Sequence, residues 1–383
     1  MWKDISSRTT VRDKIMKHIL MITNDTNFAW NLRREVLQRF IKEGYRVTLA
    51  GEILNFREDL EVLGCELADI KTARHGTSIL QDLQLFGRYF SVLRKRKPDI
   101  VLTNNIKPNV YAGLACRILG IPYMPNITGL GTPVEHPGPM QKLTTMLYKI
   151  GVGSANAVLF QNTENVEFFK SRKMLSPRSS VVLLPGSGVN LNSHPLLPYP
   201  DSGKIHFLFV ARVMKEKGID LFLAAARKFH GKDRVFDVVG GCDDENYLSI
   251  LKEAQEEGLI VYHGLQHDMM PFYKQCSCFL YPSYYPEGMS NVLLEAAASG
   301  RPVIAADRSG CRETVDHGIS GYIIPVNDEE ATLNAVEKFL NLNWEERRAM
   351  GLAGRAKVER EFDREIVVKM TLKKVREVLT NTL

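Results

Sequence analysis

One strand–helix–strand unit decides how this chain folds, and it lies in residues 278–306, which read CFLYPSYYPEGMSNVLLEAAASGRPVIAA. The apolar run 278–282 is followed by a loop that contains proline and glycine, and Ser290 stands where a helix N-cap is expected. The helix-forming residues after it end at Gly300, and the apolar run 302–306 follows. A short strand, a crossover helix and a second short strand predict two neighbouring strands of a parallel sheet.

The same alternation extends in both directions from this unit. Working outward, we predict strands at 206–211, 235–239, 260–263 and 322–326 in the second half, and at 18–24, 46–51, 99–105, 122–128, 157–161 and 181–184 in the first half. Amphipathic stretches of helix length lie between the first-half strands, at 29–43, 78–96, 109–119 and 165–173. Each half therefore predicts a Rossmann-like α/β domain.

Turn-forming residues concentrate between the two halves. Residues 186–203 show little periodicity and contain Gly186, Gly188, Pro195, Pro198, Pro200 and Gly203. We predict a first domain at 1–185, a linker at 186–203 and a second domain at 204–362. The tail after 343 contains no proline and is helix-forming, and we expect residues 363–383 to form a C-terminal helix that packs back on the first domain.

Composition narrows the class of protein. The chain has 383 residues, of which 44% are hydrophobic and 25% charged, as in folded globular proteins. No apolar run approaches the roughly 18–20 residues that a membrane-spanning helix needs, and residues 1–17 lack the apolar core of a secretory signal. The six cysteines are scattered without a C-x-x-C pair. These features favour reduced thiols over a disulfide or zinc framework and predict a cytoplasmic protein.

Charge is divided unevenly along the chain. Residues 1–190 contain 26 Lys and Arg against 16 Asp and Glu, whereas the remainder contains 24 against 28. A basic half favours a polyanionic partner, which leaves nucleic acid, an anionic membrane face or a phosphorylated substrate, beside the alternative of a solvated surface. Nucleic acid is the weakest of these, because the basic half lacks interleaved aromatic residues and any recognition motif.

Two cations follow the first strand of the second half, Arg212 and Lys217. Parallel sheets bind ligands beyond the carboxyl ends of their strands, and a cation at a helix start opposes the helix dipole. A bound polyphosphate would supply the missing negative charge. The alternative is ordinary surface charge, and Lys215 between the two is expected to be solvated.

Two carboxylates stand eight residues apart in the unit at 278–306, Glu287 in its loop and Glu295 in its helix. Together they can accept hydrogen bonds from ligand hydroxyls at two points, and the free amides of the helix start form an anion site. The alternative is that Glu287 stabilises the helix dipole while Glu295 pairs with a surface lysine. Gly240 also ends a strand, where it allows either a close nucleotide contact or a simple turn. The pair His263–Gly264 ends another strand, and a lone histidine there is more often structural than catalytic.

These motifs together resemble a known family. The segments 207–220 (FLFVARVMKEKGID), 263–264 (HG) and 287–310 (EGMSNVLLEAAASGRPVIAADRSG) resemble the family 4 retaining glycosyltransferases of the GT-B fold, including their E-x7-E signature. Residues 126–132 (NITGLGT) and 107–111 (KPNVY) are similar to those of bacterial enzymes that build capsule, O-antigen or lipid-linked oligosaccharides. The resemblance extends over nearly the whole chain and implies two Rossmann-like domains that face a central cleft.

The resemblance implies a role for each donor-side residue. Arg212 and Lys217 would neutralise the leaving nucleoside diphosphate, Glu287 would hold the hydroxyls of the donor sugar, and Glu295 would hold the ribose. The other donor-site residues implied are Gly288, Met289, Ser290, Asn291, Gly240, His263 and Gly264. The sequence has no D-x-D motif, so we expect a transferase that needs neither metal nor cofactor, with a UDP-sugar as the favoured donor of a hexose or N-acetylhexosamine.

The resemblance identifies the acceptor-side residues less specifically than the donor-side residues. The resemblance suggests a polyprenyl-diphosphate-linked saccharide bound by the basic N-terminal domain, with candidate residues Asn24, Thr26, Asn105, Lys107, Thr128 and Gly129. The chain departs from many relatives, because it lacks a glycine-rich loop after the first strand and a histidine after a later one; His136 is close to that position. The basic run 94–97 and the stretch 140–149 could rest on the anionic cytoplasmic face of the inner membrane, or be a solvated helix end and ordinary core.

Two other classes remain open at this point. A sugar-nucleotide epimerase can use the same architecture, and release of free nucleoside diphosphate with a lipid acceptor would separate it from a transferase. A non-catalytic partner subunit is the other alternative, and the joint presence of Glu287, Glu295, Arg212 and Lys217 disfavours it. We therefore expect a peripheral membrane enzyme of bacterial surface glycan assembly.

Overall fold

The computed structural model describes residues 16–71, 79–131, 134, 137–201 and 203–381. Its N-terminal sheet has seven parallel strands in the order β3-β2-β1-β4-β5-β6-β7. These strands are β1 (His18–Asp25), β2 (Arg46–Glu52), β3 (Glu66–Asp69), β4 (Ile100–Asn104), β5 (Tyr123–Ile127), β6 (Ala157–Phe160) and β7 (Ser180–Leu183). His136 and the last residue of the motif 126–132 lie outside the described residues.

The C-terminal sheet has six parallel strands in the order β10-β9-β8-β11-β12-β13. They are β8 (Ile205–Val210), β9 (Arg234–Val239), β10 (Val261–Tyr262), β11 (Cys278–Tyr281), β12 (Val303–Ala306) and β13 (Gly321–Ile324). In both sheets the first strand of the domain is central and the order reverses beside it, between β1 and β4 and between β8 and β11. Such a reversal opens a crevice at the carboxyl ends of the strands.

Helices cover both sheets. They are α1 (Thr26–Lys42), α2 (Arg57–Val62), α3 (Ile79–Arg96), α4 (Gly113–Leu119), α5 (Pro139–Val152), α6 (Thr163–Ser171), α7 (Ile219–Phe229), α8 (Glu245–Glu256), α9 (Met270–Gln275), α10 (Asn291–Ala298), α11 (Glu329–Leu340), α12 (Trp344–Glu361) and α13 (Arg364–Asn381). A π-helical turn at Pro108–Ala112 leads directly into α4. None of the helices in the described part of the chain is both long and apolar enough to cross a membrane.

The cores explain why the strands are apolar on both faces. Each central strand is covered by helices on two sides, so its residues are buried whichever way they point. On one face of the N-terminal sheet, Tyr89 of α3 and Tyr148 of α5 pack against Val101 and Ile127. On the other face, α1 and α13 contribute residues to a common core that includes Phe40.

The predicted fold class is confirmed. All twelve predicted strands are present, with ends within two residues of those expected. The sequence pattern did not predict β3, which lies at the sheet edge and is largely half-exposed, and it did not predict the short helix α2. The helix predicted at 109–119 begins earlier, with the π-helical turn.

The last helix returns to the N-terminal domain. The chain turns at Phe362 and Asp363, between α12 and α13, and α13 then lies against α1. At its start, Arg364 donates to the carbonyl of Gly188 in the linker and pairs with Glu35 of α1 at 3.0 Å. Arg364, at the start of the last helix, therefore bonds both the linker and the first helix.

Candidate functional site

A cleft of about 780 Å³ lies between the carboxyl ends of the two sheets. Its N-terminal side is lined by Asn24, Asn105, Lys107, Thr128, Gly129 and Gln161, and its C-terminal side by Arg212, Asp243, Tyr285, Glu287, Met289 and Asn291, among others. Polar residues at strand exits meet here because the two sheets present their carboxyl ends to one another.

The centre of the C-terminal side is an ion pair between Lys217 and Glu287, whose side chains are 14% and 15% exposed. The hydroxyl of Tyr281 donates to Glu287 Oε1 at 2.9 Å, and Lys217 Nζ lies 3.1 Å from the same hydroxyl. The ring of Tyr285 lies 4.5 Å from the ammonium. A cation and a carboxylate are thus held together, mostly away from water, and the carboxylate lines the cleft.

A glycine lets the lysine reach this position. Lys217 ends a 3₁₀ turn, and the following Gly218 has a φ of +81°. A Cβ at Gly218 would lie 2.4 Å from the carbonyl oxygen of Pro282, directly after β11. The close approach of these two strand exits brings the lysine of one segment to the glutamate loop of the other.

Arg212 lies beside this pair and is exposed. It lines the cleft and also an adjoining pocket of about 370 Å³, which Gly240 and Asp243 line as well. Among the residues that the structure describes, no carboxylate forms an ion pair with Arg212; its guanidinium lies 3.4 Å from the sulfur of Met214. An uncommitted cation is therefore available to an anionic ligand in either space.

The loop before α10 offers fewer free amides than expected. The Gly288 amide donates to the Thr128 carbonyl at 3.1 Å, and the Ser290 amide donates to Gly310 at 2.8 Å. Ser290 occupies the N-cap position, but its side chain makes no capping hydrogen bond, and its buried Oγ has no partner among the described residues. The predicted cap by this side chain is therefore wrong. Met289 and Asn291 line the cleft.

Glu295 is not among the residues that line the cleft. Its carboxylate accepts a hydrogen bond of 2.9 Å from the Tyr273 hydroxyl, so a surface lysine is not its partner. Burial raises the pKa of the Glu295 carboxyl, and the hydrogen bond from Tyr273 opposes that shift.

The imidazole of His263 is committed to a carboxylate. His263 Nε2 lies 2.8 Å from one oxygen of Asp237, and His206 Nδ1 lies 2.8 Å from the other. The neighbouring glycines are closely packed: the Gly240 amide donates to the Gly264 carbonyl at 2.8 Å. A Cβ at Gly240 would lie 1.7 Å from the Ala211 carbonyl, so only glycine fits there.

The acceptor-side candidates divide in two. Asn24, Asn105, Lys107, Thr128 and Gly129 all line the cleft. Within this group, the backbone amide of Asn24 donates to Asn105 Oδ1 at 3.1 Å. Lys107 pairs with Asp82 of α3 at 3.3 Å.

Thr26 does not join the other acceptor-side candidates. It is 2% exposed, and its Oγ1 donates to the Asn55 carbonyl at 2.6 Å and accepts from the Leu54 amide at 3.0 Å. Its hydroxyl holds the loop after β2 and is absent from the cleft lining.

The residues that follow β6 were not predicted from the sequence. Gln161 lines the cleft, and Asn162 donates hydrogen bonds to the carbonyls of Glu287 and Gly288 on the opposite domain. Both stand at a strand exit, so the position that identified candidates in the second half would have identified them in the first. In the described ranges, no group of three or more His, Cys, Asp or Glu side chains is arranged to hold a metal ion.

The two halves of the chain match two different protein-family models. Residues 18–162 match the family model described as "Glycosyl transferase 4-like", and residues 199–357 match "Glycosyl transferases group 1". Between them the two models account for most of the chain.

Two relatives and one solved structure illustrate the similarity. The chain is 24% identical, over 85% of its length and 89% of the relative's, to the N,N'-diacetylbacillosaminyl-diphospho-undecaprenol alpha-1,3-N-acetylgalactosaminyltransferase of Campylobacter jejuni. It is 24% identical, over 71% of its length and 76% of the relative's, to the UDP-Gal:alpha-D-GlcNAc-diphosphoundecaprenol alpha-1,3-galactosyltransferase of Escherichia coli. The crystal structure of Anabaena HepE with UDP and glucose aligns with a TM-score of 0.76 at 16% identity, covering 94% of this chain and 100% of that one.

The fold, the cleft and the paired family matches agree. Two Rossmann-like domains meet at the carboxyl ends of their sheets, and each domain matches a glycosyltransferase model over the region that contributes to the cleft. The chain belongs to the glycosyltransferases of the GT-B fold.

Proposed function

We propose that this protein transfers a hexose or N-acetylhexosamine from a nucleoside-diphosphate sugar, with UDP favoured, to a polyprenyl-diphosphate-linked saccharide in the assembly of a bacterial surface glycan. The observation that carries the proposal is that Arg212 and Glu287 line the same side of the cleft and that Lys217 forms an ion pair with Glu287. The names of the Campylobacter and Escherichia relatives support a lipid-linked acceptor, and UDP in the Anabaena structure supports the donor.

Charge stabilisation is the main chemical task. When the bond from the anomeric carbon to the diphosphate breaks, negative charge develops on the leaving phosphate, and groups that stabilise it most in the transition state accelerate the step. Arg212 has no carboxylate partner among the described residues, and Lys217 follows it in the 3₁₀ turn after the same strand. In this proposal both cations contact the diphosphate, assisted by the amides at the start of α10.

Glu287 has the complementary task. Its carboxylate can accept hydrogen bonds from sugar hydroxyls while Tyr281 keeps it oriented. Lys217 then exchanges part of its contact with Glu287 for the phosphate. Glu295 is assigned the ribose by the family resemblance, and because its carboxylate accepts from Tyr273, a rotamer change of Glu295 accompanies nucleotide binding in this proposal.

The proposed course retains the anomeric configuration. The bond from C1 to the phosphate oxygen breaks through an oxocarbenium-like state, and the acceptor oxygen bonds C1 on the same face. The hydroxyl proton of the acceptor passes to the departing phosphate oxygen, so charge and atoms balance without a metal ion. Full activity in excess chelator is expected, and loss that manganese restores would contradict this part.

The acceptor side of the proposal includes a membrane surface. Large apolar side chains are exposed on two helices of the N-terminal domain, and we call them the apolar rim: Ile79, Leu80 and Leu83 of α3, and Met140, Leu143 and Met146 of α5. The pair between Lys107 and Asp82 links the start of α3 directly to the cleft. Helix α5 contains Lys142 and Lys149 and no acidic residue. We propose that this rim contacts the anionic cytoplasmic face of the inner membrane.

The basic run 94–97 has a different position from the apolar rim. It lies at the opposite end of α3, just before β4 begins at the amino edge of the sheet, and Arg96 pairs with Glu66 at 2.6 Å. We therefore assign the membrane contact to the rim alone.

The direct test is an assay with defined substrates. The protein is incubated with a panel of UDP-sugars and GDP-sugars and a short-chain polyprenyl-diphosphate-linked saccharide. We expect release of nucleoside diphosphate in step with an acceptor one sugar longer, and the anomeric configuration of the new bond equal to that of the donor. An inverted bond would contradict retention, and an epimerised sugar nucleotide without extended acceptor would contradict the transferase.

A further inference from the structure

Three polar backbone groups of the donor-side loop are bonded by the opposite domain. The carbonyls of Glu287 and Gly288 accept hydrogen bonds from Asn162 Nδ2 at 3.1 and 2.7 Å, and the Gly288 amide donates to the Thr128 carbonyl at 3.1 Å. From within its own domain the loop is held at Tyr285, whose carbonyl accepts from the Glu287 amide, and at Gly310. The Glu287–Gly288 peptide group and the carbonyl of the following peptide group are therefore held from across the cleft.

Asn162 is fixed in the orientation that this contact needs. It is the N-cap of α6, where its Oδ1 accepts from the Asn165 amide at 2.8 Å. Because the oxygen faces the helix, the amino group must face the loop, and both of its hydrogens have acceptors there. The residue is 3% exposed. A buried amide that uses both hydrogens and its oxygen has a single favourable orientation.

The two domains approach so closely here that side chains are excluded. A Cβ at Gly288 would lie 2.4 Å from Gln161 Oε1 and 2.6 Å from the Thr128 carbonyl. A Cβ at Gly129 would lie 3.1 Å from the Gly288 amide nitrogen. The contact is a direct backbone fit between the two sides of the cleft.

We propose that Asn162 is a positioning residue that holds the Glu287–Gly288 loop from across the cleft, so that the Glu287 carboxylate is correctly placed only while the N-terminal domain contacts the loop. The side chain of Glu287 is held from its own domain by Lys217 and Tyr281, but its main chain is held by Asn162. The inference rests on the proposed function for its catalytic consequence, and on the hydrogen bonds alone for its structural part.

Two substitutions separate the loop contact from the helix cap. Asn162→Asp keeps a capping oxygen but turns a second oxygen toward two carbonyls, and Asn162→Ser keeps a cap but is too short to reach them. Asn343→Asp is the matched control, because Asn343 is also an N-cap, bonded to the Glu346 amide at 2.9 Å, and it lies on α12 without a bond to the other domain among the described residues.

The first measurement is hydrogen exchange of a peptide that contains Gly288, which needs no substrate. We expect exchange of the Gly288 amide to be roughly tenfold faster in both Asn162 variants and unchanged in Asn343→Asp, while α6 keeps its protection. Unchanged exchange at Gly288 in folded Asn162→Ser would overturn the proposal.

The second measurement is turnover with a donor and an acceptor that the wild type uses. A displaced Glu287 should lower kcat by about 100-fold, while the affinity for UDP alone stays within about twofold, because Asn162 does not line the pocket beside Arg212 and Gly240. Faster exchange with normal kcat would refute the positioning role. Faster exchange in a protein that is inactive with every sugar nucleotide tried would support the held loop and contradict the proposed function instead.

Discussion

The two sides of the cleft are built from different chemistry. The C-terminal side presents an ion pair between Lys217 and Glu287 and the uncommitted cation Arg212. The N-terminal side presents asparagine amides and the backbone of Thr128 and Gly129, and its charged lining residues are Asp25 and Lys107, the latter paired with Asp82. Apolar side chains are exposed on α3 and α5 of the same domain. In the proposed function, the cations of the C-terminal side bind the donor diphosphate, and the polar groups of the N-terminal side bind the acceptor.

Removing the charged pair should have the largest effect. Glu287→Ala and Lys217→Ala are each expected to lower kcat by about 100- to 1000-fold. Lys217 would stabilise the charge that develops on the leaving phosphate, and Glu287 would position the donor sugar for the reaction. The measurement is initial-rate kinetics with melting temperatures recorded for each variant.

Lys215 provides the matched control for Lys217. It lies two residues earlier in the same 3₁₀ turn and is exposed, so Lys215→Ala should keep wild-type kinetics. If both lysine variants lost activity equally, net charge and not the position of the ammonium would be responsible. The assignment of the donor diphosphate to Lys217 would then be wrong.

The second prediction concerns the backbone that frames the charged side. Gly240 has a φ of +146°, and a Cβ there would overlap the Ala211 carbonyl, so Gly240→Ala should lower the free energy of unfolding by about 4 kcal/mol. It should also weaken UDP binding, since Gly240 lines the pocket next to Arg212. Chemical denaturation and calorimetric titration with UDP measure both.

The adjacent glycine is a control for this substitution. A Cβ on Gly241 would meet no heavy atom of the described residues within 4 Å beyond its chain neighbours, and Gly241 lies outside the left-handed φ region. Gly241→Ala should therefore leave the free energy of unfolding within about 0.5 kcal/mol of wild type. Equal destabilisation by both substitutions would mean that the close approach at Gly240 is not the cause.

A third prediction concerns the linker that joins the two sides. Burial, aided by the charge of Arg364, lowers the pKa of His194 to about 4, and the ring packs edge-to-face on Tyr273. In the unfolded chain the pKa of a histidine is about 6.5, so the unfolded state binds the proton first. Stability is complete above about pH 6.5 and falls as the pH drops from there to about 4, by up to about 3 kcal/mol.

His194→Phe tests this pH dependence. The phenyl ring keeps the contact with Tyr273 and cannot take up a proton, so the free energy of unfolding should change less over this pH range than in the wild type. The measurement is urea denaturation at several pH values. The same acid sensitivity in wild type and variant would show that other groups cause it.

The sequence predicts the C-terminal side of the cleft better than the N-terminal side, for a physical reason. The strands are continuous apolar runs because they are buried on both faces, and Lys217 and Glu287 lie at strand exits within local motifs. Thr26 was wrongly assigned because its partner, the loop at Asn55, is distant in the chain. The position of Asn162 at a strand exit could have identified it, but its contact with the opposite domain could not be predicted from the sequence. The role of an uncharged polar side chain depends on its tertiary contacts, which the local sequence does not show.

The same limit applies to His263. Only the family resemblance implied a donor-site role for this histidine, and nothing in the sequence indicated that Asp237, which is 26 residues earlier, accepts its hydrogen bond. The edge strand β3 was not predicted because it has only four residues and little burial. The local sequence pattern predicts segments that are fully buried or that carry clustered charges. It does not predict the role of a residue that depends on a single long-range hydrogen bond.

The smallest expected effect lies outside the cleft, at the apolar rim. Replacing Met140, Leu143 and Met146 together by Gln should weaken binding to vesicles that contain anionic lipid, because about 50% of each residue is exposed in wild type and the rim can enter the interface. Lys142→Gln and Lys149→Gln should each cost about 1 kcal/mol, a roughly fivefold weaker binding. Vesicle sedimentation at physiological salt measures this.

Val62→Gln is the control for the rim, since Val62 is 89% exposed on α2, outside the rim. Turnover of a short-chain, water-soluble acceptor should stay at the wild-type rate in all of these variants, because they change the surface that delivers the acceptor and leave the cleft intact. Equal loss of vesicle binding in Val62→Gln, or loss of turnover with the soluble acceptor, would contradict a separate delivery surface.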